Sequence, residues 1–131
     1  MNWLETFNDS YQRCLLNDRF FELFYENFWT KGERFRRQFS NINMQKQIRM
    51  LKSSIVFVMM ANHSMEAQKK IVKYAQLHRP LGLEPNDIDI WFDSLVATVE
   101  EFDPKFDESV EQAWRVCFEV GLDIMKQGLK A

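Results

Sequence analysis

Apolar residues recur every three or four positions along almost the whole chain, which is the spacing of one buried helix face. Leu4, Phe7, Tyr11 and Cys14 form a first stripe, and Phe21, Phe24, Tyr25 and Phe28 a second. Trp29-Thr30-Lys31-Gly32 interrupts it, and a short basic stretch from Glu33 to Arg37 comes next. Ser40-Asn41-Ile42-Asn43 reads as a corner whose Asn side chains can cap the next helix. That helix carries Met44, Ile48, Leu51, Ile55 and Met59 on one face. Ala61-Asn62-His63-Ser64 breaks it, and Ser64 is suited to cap the next helix, whose stripe is Ala67, Ile71, Tyr74, Ala75 and His78. Arg79-Pro80-Leu81-Gly82 ends this stripe, because Pro80 disfavours helix at the residue before it. Pro85 fits the first turn of a helix presenting Ile88, Trp91, Phe92, Leu95, Val96 and Val99. Asp103-Pro104 stops that helix, and Val110, Ala113, Trp114, Cys117, Phe118, Gly121, Ile124 and Met125 make the last stripe. No segment alternates with period two for long enough to be a strand. The pattern predicts an all-α protein.

Composition agrees. At 131 residues the chain is expected to be a single domain, 1–131. Apolar residues make up 46% and aromatics 15%, with 12 Phe, which is ample for a core. Four Gly and three Pro are too few for a small all-β fold. Charge is nearly balanced, 17 Lys+Arg against 19 Asp+Glu, so neither a nucleic-acid footprint nor a polybasic membrane anchor is expected. Cys14 and Cys117 are too few for a disulfide framework or a zinc site and are expected as buried thiols in a reducing compartment. The N-terminal Met1-Asn2-Trp3-Leu4-Glu5 lacks the build of a signal peptide, and the longest uncharged run, Ser53 to Met65, is too short to span a bilayer. A cytoplasmic protein is expected.

One residue is out of place on an apolar stripe. His78 follows Tyr74 and Ala75 on the inward face and precedes a helix stop. The plain expectation is a core histidine with one satisfied ring nitrogen. A neutral imidazole is also the commonest metal ligand, yet no second His, Cys or carboxylate lies three or four residues away on that face. His63 sits at a helix break and is expected to be exposed. A single buried His suits a metal whose other ligands come from a cofactor.

In order and spacing, several segments resemble the globin family, specifically the bacterial single-domain haemoglobins and the haem domains of flavohaemoglobins. Phe24-Tyr25-Glu26-Asn27-Phe28 resembles the second globin helix. Phe39 falls fourteen residues after Tyr25, where bacterial globins carry the Phe that stacks on haem. Gln47-Ile48-Arg49-Met50-Leu51 resembles the start of the distal helix, Ala75-Gln76-Leu77-His78 with Gly82 and Pro85 the proximal segment, and Ala113-Trp114 the last helix. The resemblance implies a globin fold of about six to seven helices around a haem pocket, with a short corner before the distal helix. It implies heme b (iron protoporphyrin IX) held by His78 as the metal ligand.

Phe39 would press against the porphyrin. The Tyr25 hydroxyl, with Gln47 beside it, would donate to a diatomic ligand: dioxygen, nitric oxide or carbon monoxide. A shift of one position would put Lys46 in place of Gln47, with Met50 rather than Leu51 one turn on; the stripe through Met44, Ile48, Leu51 and Ile55 favours Gln47. Leu51, Phe28, Tyr74, Leu83, Phe92 and Leu95 are the apolar pocket candidates, each also explicable as plain core. Arg49 and Arg79 flank the expected pocket and are candidates to meet the haem propionates, or simply solvated charges.

The chain departs from the family at Ile88, about ten residues after His78, where flavohaemoglobins and some relatives have a Tyr in a proximal hydrogen-bond network. The resemblance therefore does not extend to the peroxidase-like chemistry that such a network supports. No flavin or nicotinamide motif is present, so redox turnover would need an external reductase. Three functions remain open at this level: reversible binding or carriage of oxygen or another gas, nitric oxide dioxygenase-type detoxification, and a haem-free or gas-sensing globin-fold interaction module.

Overall fold

A computed structural model describes residues 2–130. Among them there are seven α-helices and a 3₁₀ turn: α1 (Trp3–Leu15), α2 (Phe20–Trp29), α3 (Glu33–Gln38), α4 (Met44–Met60), α5 (Met65–His78), the 3₁₀ turn Arg79–Leu81, α6 (Pro85–Phe102) and α7 (Glu108–Lys130). None of the helices is long and apolar enough to cross a membrane.

The boundaries follow local chemistry. Asn2, Asn43 and Ser64 cap α1, α4 and α5, each accepting from a backbone N–H three residues on, at 3.0, 3.1 and 3.2 Å. Pro85 opens α6 in its first turn. Gly82 comes after the 3₁₀ turn with φ of 75°, a left-handed conformation that a glycine adopts without steric cost.

Helix α7 packs against α1, α4, α5 and α6, and α2 lies on α6. The main core is aromatic. Trp114 is fully buried with its ring 4.7 Å from Phe7 in an edge-on contact and 5.8 Å from Phe118 in a stacked one. Burying one Phe contributes roughly 2–3 kcal/mol, so packing dominates over helix propensity. A smaller cluster of Ala61, Ala67 and Ile71 joins the end of α4 to the start of α5. Cys14 and Cys117 are buried free thiols, and burial, with the Asp103 charge nearby, pushes Cys14 up to about 12.

Polar ties cross between helices where the stripes showed none. The Asp103 carboxylate, fully buried, takes the Arg13 Nε at 2.6 Å and the Ser10 hydroxyl at 2.6 Å, and the Trp114 indole donates to Ser10 at 2.9 Å. Burial alone would raise the Asp103 pKa, but the bonds from Arg13, Ser10 and the Lys105 backbone N–H outweigh it and hold it below the usual carboxylate range. Asn27 on α2 donates to Thr98 on α6 at 2.9 Å.

Candidate functional site

Tyr25 projects from α2 into the main core and is 2% exposed. Gln47, in the first turn of α4, donates its side-chain amide to the Tyr25 hydroxyl at 3.2 Å. Burial pushes the Tyr25 pKa up from 10 to about 12, with the Gln47 bond opposing it, which widens the pH range over which the phenol keeps its proton. Gln47 uses the hydroxyl as an acceptor, and among the described residues that proton has no acceptor of its own. Lys46 is exposed, with its backbone N–H held by the Asn43 cap, so the register is the one that brings Gln47 inward. Leu51 is buried one turn further along α4.

Phe39 closes the corner between α3 and α4. Its ring centre lies 5.5 Å from Tyr25, 6.1 Å from Trp29 and 6.3 Å from Phe28. Phe28 stacks on Phe35 at 4.5 Å. Trp29, which the sequence pattern marks only as the end of a stripe, completes this ring cluster. Its Nε1 is the single buried side-chain nitrogen or oxygen without a hydrogen-bond partner among the described residues. Such a group costs about 1–3 kcal/mol, and nothing in the surrounding side chains offsets it.

Two further ties fix the corner. Arg34 on α3 forms a two-pronged ion pair with Asp87 at the start of α6, and the Gln38 amide donates to the Leu81 carbonyl at 3.1 Å. Arg34 holds the Asp87 carboxyl below its ordinary value, against the opposing effect of burial. Asp87 also accepts from the Glu84 backbone N–H at 2.9 Å. The Glu84-Pro85-Asn86-Asp87 helix start is a readable signal for that last bond, whereas nothing local signals Arg34.

His78 ends α5, half-buried, and its Nδ1 lies 2.6 Å from the Tyr74 carbonyl oxygen. A carbonyl only accepts, so Nδ1 carries a proton, and in the neutral ring it is Nε2 that keeps the lone pair. Among the described residues nothing engages Nε2. Tyr74 is half-buried with its ring 6.2 Å from Phe57, where α4 and α5 meet. His63 is exposed in the turn before α5.

The remaining candidates divide. Leu95 is fully buried in the main core and Leu83 is half-buried against it. Phe92 is buried in the same core on its α7 side: its ring is 5.0 Å from Phe118, Arg115 lies over it, and it lines a surface hollow of about 240 Å³ with residues of α7. Ile88 is buried. Arg49 is exposed, and Arg79 donates its Nε to the Gly128 carbonyl at 2.7 Å. The structure thus brings Tyr25, Gln47, Leu51, Phe28, Phe39, Leu83, Phe92 and Leu95 into one core, with Phe92 on its α7 side, and sets Tyr74 and His78 on the neighbouring helix.

These residues fit a haem group on the chemistry of their donors. An imidazole with one nitrogen fixed and the other free is a ready metal ligand, and a neutral buried hydroxyl with an uncommitted proton is a ready donor.

Neither a protein-family model nor a curated protein matches the chain. Among solved structures, a Pseudomonas aeruginosa protein described as structurally highly homologous to a human hemoglobin superposes with a TM-score of 0.88, at 28% identity over 98% of both chains. The helix order and this likeness give the chain a globin fold.

Proposed function

We propose that this chain is a haem-binding globin that reversibly binds a diatomic gas, with His78 as the protein ligand to iron. The observation that carries the proposal is the 2.6 Å bond from His78 Nδ1 to the Tyr74 carbonyl, which fixes the tautomer that leaves Nε2 free to ligate. A haem held there would supply iron to which oxygen, nitric oxide or carbon monoxide could bind. The Tyr25 hydroxyl would donate to that gas, Gln47 would orient Tyr25 as it does here, and Phe39, Phe28, Leu51, Leu83 and Leu95 would exclude water. Both cysteines are buried on α1 and α7 and stand in no C-x-x-C-H motif, so the proposed group is a non-covalent heme b.

The same pocket would serve nitric oxide dioxygenation with an external reductase. The buried Ile88 offers no hydroxyl to a proximal network, which favours binding over turnover. The deciding experiment is the absorption spectrum of the protein reconstituted with haemin, then reduced with dithionite, then exposed to carbon monoxide. A Soret band that shifts at each step is expected. Haemin left unbound would overturn the proposal and favour a haem-free module.

A further inference from the structure

α7 carries two internal glycines seven residues apart, and each lies at a close approach to a different helix. A glycine within a helix is disfavoured relative to alanine, so contacts must explain both. A Cβ on Gly121 would come within 2.8 Å of the Val58 side chain on α4. A Cβ on Gly128 would come within 2.4 Å of the Ala75 Cβ on α5. Ala75 is fully buried. Four residues further along the chain, just past the end of α5, Arg79 donates its Nε to the Gly128 carbonyl at 2.7 Å. His78 lies between these two attachment points, and its own ring is tied back to Tyr74.

We propose that the last turns of α7 set the position of His78, with Gly128 and Arg79 as its positioning residues. Gly128 acts by letting the two backbones approach at Ala75, and Arg79 acts by latching the end of α5 to the end of α7. This assignment rests on His78 being the haem ligand. It gives Arg79 a role in fixing the ligand helix, in addition to or in place of contact with a propionate. A side chain at position 128 would push α5 outward by about an ångström to reach ordinary contact distance. Functional constellations tolerate errors of only about 0.5 Å.

The glycine pair supplies a matched comparison, because Gly121→Ala strains α7 against Val58 of α4, which packs on Ala67 and Ile71 toward the start of α5, away from the end that carries His78. The test uses the haemin-reconstituted full chain as wild type, Gly128→Ala, Gly121→Ala, Arg79→Gln and Arg79→Lys. The readouts are the iron–histidine stretching band of the ferrous form by resonance Raman and the rate of haem loss to an acceptor apoglobin. Gly128→Ala is expected to shift the band and speed haem loss by roughly 10- to 100-fold, the range for disturbing a residue that orients a ligand. Arg79→Gln should do the same to a smaller extent, and Arg79→Lys should restore part of the loss. Gly121→Ala should lower the melting temperature without moving the band. A band unmoved in both Gly128→Ala and Arg79→Gln, or moved equally by Gly121→Ala, would overturn the assignment.

Arg79 is exposed, so its variants keep the test open if Gly128→Ala does not fold. The apoprotein gives a second readout. With two histidines in the chain, His78 is identified in ring NMR spectra by comparison with His63→Gln. Its ring shifts should change in Gly128→Ala and Arg79→Gln and stay put in Gly121→Ala. Failure of haemin to bind the wild type would refute the haem proposal, while the apoprotein spectra would still decide whether α7 positions His78.

Discussion

The Gln47 amide donates to the Tyr25 hydroxyl across 3.2 Å, which turns a buried phenol into an oriented donor with its proton unspent. Neither residue would do this alone. Tyr25 is neutral near pH 7 already at its ordinary value of 10, and burial pushes it further up, to about 12. Gln47 reaches it because Asn43 caps α4 in the register that turns Gln47 inward and leaves Lys46 in solvent.

This pair predicts a contrast between ligands. A charge-assisted hydrogen bond contributes roughly 1.5–3 kcal/mol, so Tyr25→Phe should speed oxygen dissociation by roughly 10- to 150-fold at about 1.4 kcal/mol per tenfold. Carbon monoxide develops less charge on its outer atom and should dissociate at nearly the wild-type rate. Stopped-flow displacement of each gas measures both. Equal changes for the two ligands would mean a general loosening of the pocket and would leave Tyr25 as a packing residue.

The proximal assignment separates the two histidines. His78 has one ring nitrogen fixed to Tyr74 and the other free, while His63 lies in solvent. His78→Ala should abolish or severely weaken haem retention, and His63→Gln should leave it intact. Reconstitution followed by gel filtration and a ferrous–carbon monoxide spectrum decides the matter. Native spectra in His78→Ala would remove the basis for the haem proposal.

What the sequence made legible was what repeats locally. Helical periodicity, the caps at Asn43 and Ser64, and the stops at Pro80 and Asp103-Pro104 each depend on residues within a turn or two of one another. The contact of Gln47 with Tyr25 was legible for a related reason, since the stripe through Leu51 and Ile55 sets which of two neighbouring residues faces inward. Direction was harder to read. The apolar band on α6 is buried on more than one side, so periodicity marks Phe92 as inward without saying that it faces Phe118 rather than Phe39. Ties between distant segments left no local trace. Ser10 and Arg13 look like surface residues of an amphipathic helix until Asp103 is folded against them, and Arg34 looks like part of a solvated basic run until Asp87 meets it. Gly128 reads as a weak point in a helix, and only the approach of Ala75 explains it.

Haem should stabilise the fold. A ligand that binds the native state and not the unfolded chain adds RT ln(1 + [L]/Kd), roughly 4 kcal/mol at a thousandfold excess over Kd. For a chain of this size that corresponds to a rise in melting temperature of at least several degrees. The gain should be largest around α5, whose apolar contacts form a cluster separate from the main core. Thermal melts of the apo and reconstituted proteins, with hydrogen exchange across residues 65–78, test this. Coincident melts would argue against a bound group.

The ties at Asp103 and Asp87 set the acid limit of stability. Both carboxyls are held below their ordinary value of 3.8, Asp103 by Arg13, Ser10 and the Lys105 backbone against the cost of burial, and Asp87 chiefly by Arg34. A carboxyl whose folded pKa is depressed binds fewer protons in the native state than in the unfolded chain. Its contribution is therefore complete above the unfolded value and is lost as pH falls through the folded one. Stability should be flat with respect to these two groups near neutrality and should decline below about pH 4. Arg13→Ala would leave the buried Asp103 with Ser10 and one backbone N–H as its remaining donors. That should cost about 3 kcal/mol at pH 7, the low end for removing one partner from a buried ion pair, and lowering the pH should narrow the gap to wild type. Arg34 is half-exposed, so solvent screens its pair with Asp87 and Arg34→Ala should cost less. Urea denaturation of the three proteins between pH 7 and pH 3 gives the curves. A deficit in Arg13→Ala that stays constant down to pH 3 would mean that Arg13 acts through packing and not through the Asp103 charge.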